Sequence, residues 1–202
     1  HGIGYFRLTC FQKTSNRDID AALWRLHRNG MQSLIIDLRG NPGGLLSTAV
    51  DLVDKFVSSG TIVSTHGRSP GEESMHSAHE FGTWRVPLIV LIDENSASAA
   101  EIFAGAIHEL NRGTVIGCKS FGKGSVQGIF PLSYGGTGVR LTTAKFYSPQ
   151  GNPYSGHGVS PDILVRSVAK PIGANIETIE GADSDPVLTA AVEHAGNLTQ
   201  SR

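Results

Sequence analysis

The chain has 202 residues, 39% of them hydrophobic, which allows one substantial core and bounds the protein to one domain or two small ones. Lys and Arg number 17 against 18 Asp and Glu, so composition argues against nucleic-acid binding and against acidic disorder. No apolar run reaches the roughly 20 residues of a membrane-spanning helix, and no targeting segment opens the chain. The abrupt start at His1 indicates a piece cut from a longer protein.

The first third of the chain alternates predicted strands with predicted helices. The apolar run Ser33–Leu38 is typical of a strand buried on both faces, and it is broken by the glycine-rich stretch Arg39–Gly44. Ser15 is predicted to cap the first helix, which Gly30 ends. The remaining elements in this part are two strands and a helix, at Gly4–Phe11, Thr61–Thr65 and Leu46–Val57.

A long polar connection, Gly67–Arg85, is predicted to follow, and such a long loop in a compact domain is functional or mobile. It contains His76 and His79, but no third ligand stands at a recognisable spacing. We therefore predict a solvated loop without a metal site.

The middle of the chain returns to strand and helix and then changes character. The apolar run Pro87–Ile92 predicts a strand, a helical pattern follows it, and Thr114–Cys118 predicts the next strand. Ser125–Tyr134 and Val139–Tyr147 predict an antiparallel hairpin. Strands that alternate with helices and end in a hairpin favour an α/β fold with a mixed β-sheet core and flanking helices.

The last part of the chain carries a weaker signal. Val168–Asp183 has little periodicity and is predicted to be an extended tail, whereas Asp185 and Pro186 are typical of the start of a short helix reaching Ala195. We therefore expect a core over residues 1–166 and a C-terminal extension with a short helix over 167–202.

Ser98 and Lys123 are the candidate catalytic pair. Ser98 is predicted to lie near the start of a helix, where unpaired N–H groups and the positive end of the helix dipole stabilise an oxyanion. Lys123 stands 25 residues later in a Gly-Lys-Gly turn that leaves its amine free to point inward. A lysine stripped of water can serve as the base that a serine nucleophile needs, because burial disfavours its charged form.

Lys123 also has an alternative interpretation as part of a phosphate-binding loop. Gly117–Lys123 fits the pattern GxxxxGK and follows a predicted strand. However, Gly124 stands where that loop needs a Ser or Thr, and the sequence continues as a strand instead of a helix. We therefore expect no nucleotide site.

Three other features favour structural roles. Glu101 lies in the first turn of the helix after Ser98, where an acid suits the helix dipole, so structure is preferred over catalysis. Asp37 and Arg39 are expected to pair across the glycine-rich turn. Cys10 and Cys118 have no metal-ligand or disulfide spacing and are predicted to be buried free thiols.

Two segments, Asn95–Ile102 (NSASAAEI) and Phe121–Gln127 (FGKGSVQ), resemble the C-terminal processing peptidases, also called tail-specific proteases. The resemblance spans roughly Gly4 to Asp162, and it includes the turn Asp37–Gly44 (DLRGNPGG). It implies a nucleophile at Ser98, not at the nearby Ser96. The core it implies is crotonase-like and Clp-protease-like.

The resemblance also implies the remaining site residues. Gln127 would orient the base at Lys123, and the alternative is a solvent-facing polar residue on a strand. The oxyanion hole would use the N–H of Ala99 with that of Gly43 or Gly44, and spacing does not choose between the two glycines. No metal and no cofactor are implied.

The function implied is that of a serine endopeptidase with a Ser/Lys dyad that cleaves protein or peptide substrates near their C-terminus, in a periplasm or lumen. Family members usually carry a PDZ domain, which does not fit in this chain and is expected in the full-length protein. The alternative function is a catalytically silent binding module of the same fold for apolar ligands or peptide tails.

Overall fold

The computed structural model describes residues 2–68, 70–133, 135–166 and 185–200. In chain order the described elements are β1 (Ile3–Arg7), α1 (Ser15–Arg28), β2 (Ser33–Asp37), α2 (Leu46–Asp54), β3 (Thr61–Gly67), a 3-10 turn (Pro70–Glu72), β4 (Ser74–Ser77), β5 (Leu88–Ile92), α3 (Ala99–Glu109), β6 (Thr114–Gly117), β7 (Ser125–Pro131), β8 (Gly138–Tyr147), β9 (Ile163–Leu164) and α4 (Pro186–Gln200). The predicted tail Val168–Asp183 lies outside the described residues, and the boundary at residue 166 stays a prediction.

A five-stranded sheet in the order β1-β2-β5-β6-β9 forms the centre, and every neighbouring pair in it is parallel. All five residues of β2 and all five of β5 are buried, as their continuous apolar runs predicted. The C-terminal ends of β2 and β5 lie side by side, so the loops that follow them meet at one edge of the sheet.

Alternate residues of the parallel strands enter two separate cores. Ile35, Ile89 and Leu91 face α4 and pack with its residues Val187, Ala191 and Ala195. The opposite face packs against α1, α2, α3 and β3, through Leu34, Ile36, Leu88 and Val90 among others. Helix α4 therefore covers one face of the sheet, and it continues to Gln200, beyond the predicted end at Ala195.

A second, antiparallel sheet runs in the order β4-β3-β8-β7. It contains the predicted hairpin as β7 and β8. The α/β fold with both strand orientations is therefore confirmed, with the two orientations separated into two sheets.

The prediction of an irregular connection over Gly67–Arg85 was wrong for its first part. Strand β3 continues to Gly67, and β4 returns along it in antiparallel pairing. The sequence SMHS of β4 contains one strongly apolar residue and is mostly exposed, so it lacks the alternation that marks a half-buried strand. Backbone pairing with β3 forms this strand, and the sequence gives little sign of it.

Several element ends differ from the predicted ones by a few residues. Strand β1 ends at Arg7, before the predicted Phe11, and α2 ends at Asp54, before the predicted Val57. Ser15 is the first helical residue, with its Oγ accepting a hydrogen bond from the Gln12 N–H. Within the described ranges, no helix combines the length and apolar character needed to cross a bilayer.

Candidate active site

Ser98 lies in the tight turn between β5 and α3. Its backbone φ is 57° and its ψ is −116°, a conformation that is uncommon and strained for a residue with a side chain. The turn before it is fixed by Ser96, whose buried Oγ accepts a hydrogen bond from the Asp93 N–H (2.9 Å) and donates to the Leu38 carbonyl (2.9 Å). The Ser96 hydroxyl is thus held by hydrogen bonds within the fold, whereas Ser98 has a strained backbone conformation at the helix start.

Ser98 lies at the positive end of a buried helix. Every residue of α3 from Ala99 to Ile107 is buried, while Ser98 itself is partly exposed. Ser98 and Glu101 form a capping box, in which the Ser98 side chain accepts from the Glu101 N–H and the Glu101 side chain accepts from the Ser98 N–H. Throughout the described structure, the Ala99 N–H has no hydrogen-bond partner. The site therefore places a serine hydroxyl beside a free N–H group at a helix N-terminus.

The glycine-rich turn after β2 lies directly against Ser98. A Cβ placed on Gly43 would lie 2.7 Å from the Ser98 Cβ and from the Ala97 carbonyl oxygen, and 2.9 Å from the Ala99 nitrogen. The φ of Gly43 is 101°, in the region that favours glycine. Both the conformation and the close approach require glycine at this position.

The two candidate oxyanion glycines differ in their hydrogen bonds. The Gly43 N–H donates to the buried Asn41 Oδ1 (2.8 Å), and the Gly43 carbonyl accepts from the Phe11 N–H (2.9 Å). The Gly44 N–H has no acceptor among the described residues. In this arrangement Gly44, and not Gly43, has an N–H group available for a ligand.

Glu101 connects Ser98 to the loop that carries Lys123. Its carboxylate is completely buried, and its Oε2 accepts hydrogen bonds from the backbone N–H groups of Ser98 and Lys123, each at 2.8 Å. Its Oε1 accepts from the Ser120 hydroxyl and the Gly122 N–H, each at 2.6 Å. The sequence indicated an acid suited to the helix start, but it gave no sign of these long-range partners.

The side chains of Lys123 and Gln127 are exposed, in contrast to the expected burial of the lysine. No hydrogen bond joins the Ser98 Oγ to the Lys123 Nζ, or Lys123 to Gln127, in the described part of the chain. Lys123 precedes β7, and the pairing of that strand is irregular between Val126 and Gln127, which interrupts the alternation that would place residues 123 and 127 on one face. The structure thus brings together the backbones of Ser98 and Lys123, but not the three side chains.

Residues 2–165 match the family model of Peptidase family S41. The chain belongs to that family. It is 44% identical over 169 residues to a carboxy-terminal-processing protease of Bartonella bacilliformis, a match that covers 81% of this chain and 38% of the relative. It is 40% identical over 163 residues to a carboxyl-terminal-processing protease of Synechocystis, with the same two coverages.

Solved structures agree with this assignment. The photosystem II D1 C-terminal processing protease superposes with a TM-score of 0.73 at 32% identity, over 81% of this chain and 42% of that one. A putative peptidase from Parabacteroides merdae, at 21% identity and a TM-score of 0.70, supports the fold alone. The S41 chain thus spans about two-fifths of the length of these relatives. The two relatives are named as carboxy-terminal-processing proteases, within a family of peptidases.

The two thiols of this S41 chain are not candidates for the nucleophile. Burial and the hydrogen bond to Glu94 raise the pKa of Cys118, which favours the unreactive thiol form. The Cys10 Sγ contacts the Gly43 carbonyl oxygen at 3.3 Å. Both cysteines are free and only partly buried, less than was predicted.

Asp37 and Arg39 form the predicted pair, which is largely buried instead of lying on the surface. Asp37 is completely buried, and Arg39 binds its Oδ2 at 2.6 Å and Asp185 at the start of α4 at 2.7 Å.

In the polar connection after β3, His79 pairs with Asp54 at 3.2 Å. In the described ranges no group of His, Cys, Asp and Glu side chains is arranged to hold a metal ion.

Proposed function

We propose that this S41 chain is a serine endopeptidase in which Ser98 is the nucleophile and Lys123 is the general base. Ser98 attacks the scissile carbonyl, while Lys123 takes the hydroxyl proton and later returns it to the leaving amine. The observation that carries this proposal is the shared Glu101 Oε2. Because the Ser98 and Lys123 N–H groups bind one oxygen atom, their nitrogens lie within two hydrogen-bond lengths of each other.

The oxyanion is proposed to bind between the N–H groups of Ala99 and Gly44. Both groups are without an acceptor among the described residues, and the turn that contains Gly44 lies against Ser98 through Gly43. Two such donors at a helix N-terminus stabilise the negative charge that develops on the carbonyl oxygen in the transition state. The choice of Gly44 over Gly43 follows from the hydrogen bond that Gly43 gives to Asn41.

Lys123 must lose its proton and reach Ser98 before it can act. Its long side chain is exposed here, so a peptide lying over the site would exclude water from the ammonium group and favour the neutral form. Gln127 is proposed to orient the amine in that substrate-bound arrangement through its amide oxygen. No cofactor or metal takes part in the proposed reaction.

The proposed substrates are proteins and peptides cleaved near their C-termini. The support is the name shared by the relatives from Bartonella bacilliformis and Synechocystis. An extracytoplasmic site of action and a PDZ-type domain elsewhere in the full-length protein remain proposals that rest on the family resemblance. One plant relative is named as chloroplastic.

A peptide-cleavage assay tests the proposed function. We expect a quenched-fluorescent peptide with a free C-terminal carboxylate to be cleaved by the parent chain and not by Ser98→Ala. The same peptide with a C-terminal amide is the matched substrate and should be cleaved more slowly. Tight peptide binding without cleavage by the parent would instead favour the silent binding module.

A further inference from the structure

We propose that Glu101 is a positioning residue that aligns the nucleophile and the base of this peptidase. This inference rests on the proposed roles of Ser98 and Lys123. Glu101 itself is assigned no contact with substrate. It holds the backbone at Ser98 and the backbone at Lys123 at a fixed distance from each other.

The hydrogen bonds of Glu101 use the full accepting capacity of its carboxylate. Two oxygens accept four hydrogen bonds, two at Oε2 and two at Oε1, and an ionised carboxylate offers about four such sites. No Lys, Arg or His forms an ion pair with Glu101 within the described ranges. The buried charge is stabilised by these donors and by the start of α3, on which Glu101 lies.

The loop that Glu101 holds is also fixed from its other side. The Ser120 Oγ that donates to Glu101 accepts from the Val159 N–H at 2.7 Å, and the Ser120 N–H donates to the Val159 carbonyl at 3.0 Å. The Gly156 N–H donates to the Gly122 carbonyl at 2.9 Å. The segment before Lys123 therefore lies between Glu101 and the turn and loop of residues 156–159, and Glu101 links that fixed segment to Ser98.

Two of the four N–H and O–H groups that donate to Glu101 belong to the proposed catalytic residues, so the carboxylate would affect catalysis as well as folding. The Ser98 N–H belongs to the nucleophile, whose strained φ of 57° must be held, and the Lys123 N–H belongs to the base. Both bind the same oxygen atom, so moving either one changes the distance between them. A shift of about 1 Å in such a pair can lower the rate about a hundredfold.

Glu109 provides a matched control on the same helix. It also accepts hydrogen bonds from a loop, from the Gln150 N–H at 2.8 Å and the Asn152 Nδ2 at 3.3 Å. It lies at the opposite end of α3 from Ser98. Glu109→Gln makes the same chemical change as Glu101→Gln at a site away from the proposed dyad.

The experiment compares kcat and KM for the parent, Glu101→Gln and Glu109→Gln. Glutamine keeps the size of the side chain, but its NH₂ group faces two of the four donors. We expect kcat of Glu101→Gln to fall about 10- to 100-fold, with KM changed by less than about threefold and with Glu109→Gln close to the parent. A folded Glu101→Gln protein with the kcat of the parent would overturn the inference.

A second variant decides the question if Glu101→Gln does not fold. Ser120→Ala removes one donor and leaves the carboxylate in place, so kcat should fall about 3- to 10-fold at unchanged KM. A folded Ser120→Ala protein with the kcat of the parent would then overturn the positioning role. Failure of the proposed function looks different, because the parent itself would show no cleavage that depends on Ser98.

Discussion

At the scale of single residues, the glycine-rich turn packs so tightly against Ser98 that no side chain fits between them. Gly43 contacts Ser98 and Ala99 so closely that a methyl group there would overlap backbone atoms. Ser98 tolerates a positive φ because β5, Ser96 and the buried helix α3 fix the chain on both sides of it. The conformation of Ser98 and the absence of a side chain at Gly43 therefore depend on each other.

Replacing Gly43 by alanine should abolish most activity. The added Cβ must displace Ser98 and the Ala99 N–H, so we expect kcat to fall at least about a hundredfold and stability to drop by about 1–3 kcal/mol. Gly30→Ala is the control, because Gly30 has a φ of 82° and open space around its Cα. It should lose about 1–2 kcal/mol for conformation alone and keep its kcat. Equal kcat in both variants would show that the close packing of Gly43 against Ser98 is not needed for catalysis.

Replacing Lys123 by methionine should remove activity and leave the fold unchanged. Lys123 is exposed, so we expect the free energy of unfolding to change by less than about 0.5 kcal/mol. Loss of the general base should lower kcat about 10²- to 10⁴-fold. Lys119→Met changes another exposed lysine of the same loop and should cleave peptide like the parent. Denaturant titrations and peptide cleavage measure both effects, and an active Lys123→Met would remove the lysine from the mechanism.

At the scale of elements, one arginine adds a polar link between helix α4 and the sheet on which it packs. Arg39, at the end of β2, binds the buried Asp37 and also Asp185. The Asp185 Oδ1 accepts hydrogen bonds from the Val187 and Leu188 N–H groups, so it also caps α4. The hydrogen bond from Arg39 lowers the pKa of Asp185, whereas its partial burial acts in the opposite direction.

The contribution of Asp185 should depend on pH. Its pKa is lower in the folded chain than the unfolded value of about 3.9, so its charge stabilises the fold fully above that value. The contribution is lost as pH falls through the lower folded pKa. Because the side chain is 36% exposed, we expect Asp185→Asn, which keeps a cap, to lose only about 0.5–1 kcal/mol at pH 7.

Urea midpoints measured from about pH 7 down to about pH 3 test this expectation. The parent and Asp185→Asn should converge toward the acid end of that range. Asp18→Asn, which breaks an exposed ion pair with Arg17, is the matched control and should show a smaller difference at neutral pH. A constant difference between the parent and Asp185→Asn at all pH values would show that the charge on Asp185 contributes nothing.

Some elements could be predicted from sequence and others could not, for physical reasons. The buried strands β2 and β5 and the hairpin β7–β8 have strong local signals and were found. Strand β4 exists through its pairing with β3, a contact that its four residues do not encode. Local pattern therefore identifies elements that bury their own side chains, and it misses elements formed by pairing.

At the scale of the whole molecule, the site is assembled where separate loops meet. Sequence motifs placed Ser98, Lys123 and the glycine-rich turn in one site, and the structure brings their backbones together. The full role of Glu101 could not be predicted, because three of its four partners lie 19 to 22 residues away along the chain. Burial of Lys123 was expected from its proposed chemistry, but the fold leaves the side chain exposed.

The most direct test of the central claim is to find which serine reacts. The parent chain is treated with a fluorophosphonate, digested, and mapped by mass spectrometry. Modification at Ser98, absent from Ser96 and strongly slowed in Lys123→Met, is the predicted result, because Ser98 is partly exposed beside a free N–H group, whereas the buried Ser96 hydroxyl is held by hydrogen bonds. Modification at Ser96, or labelling of Ser98 at the parent rate in Lys123→Met, would contradict the account.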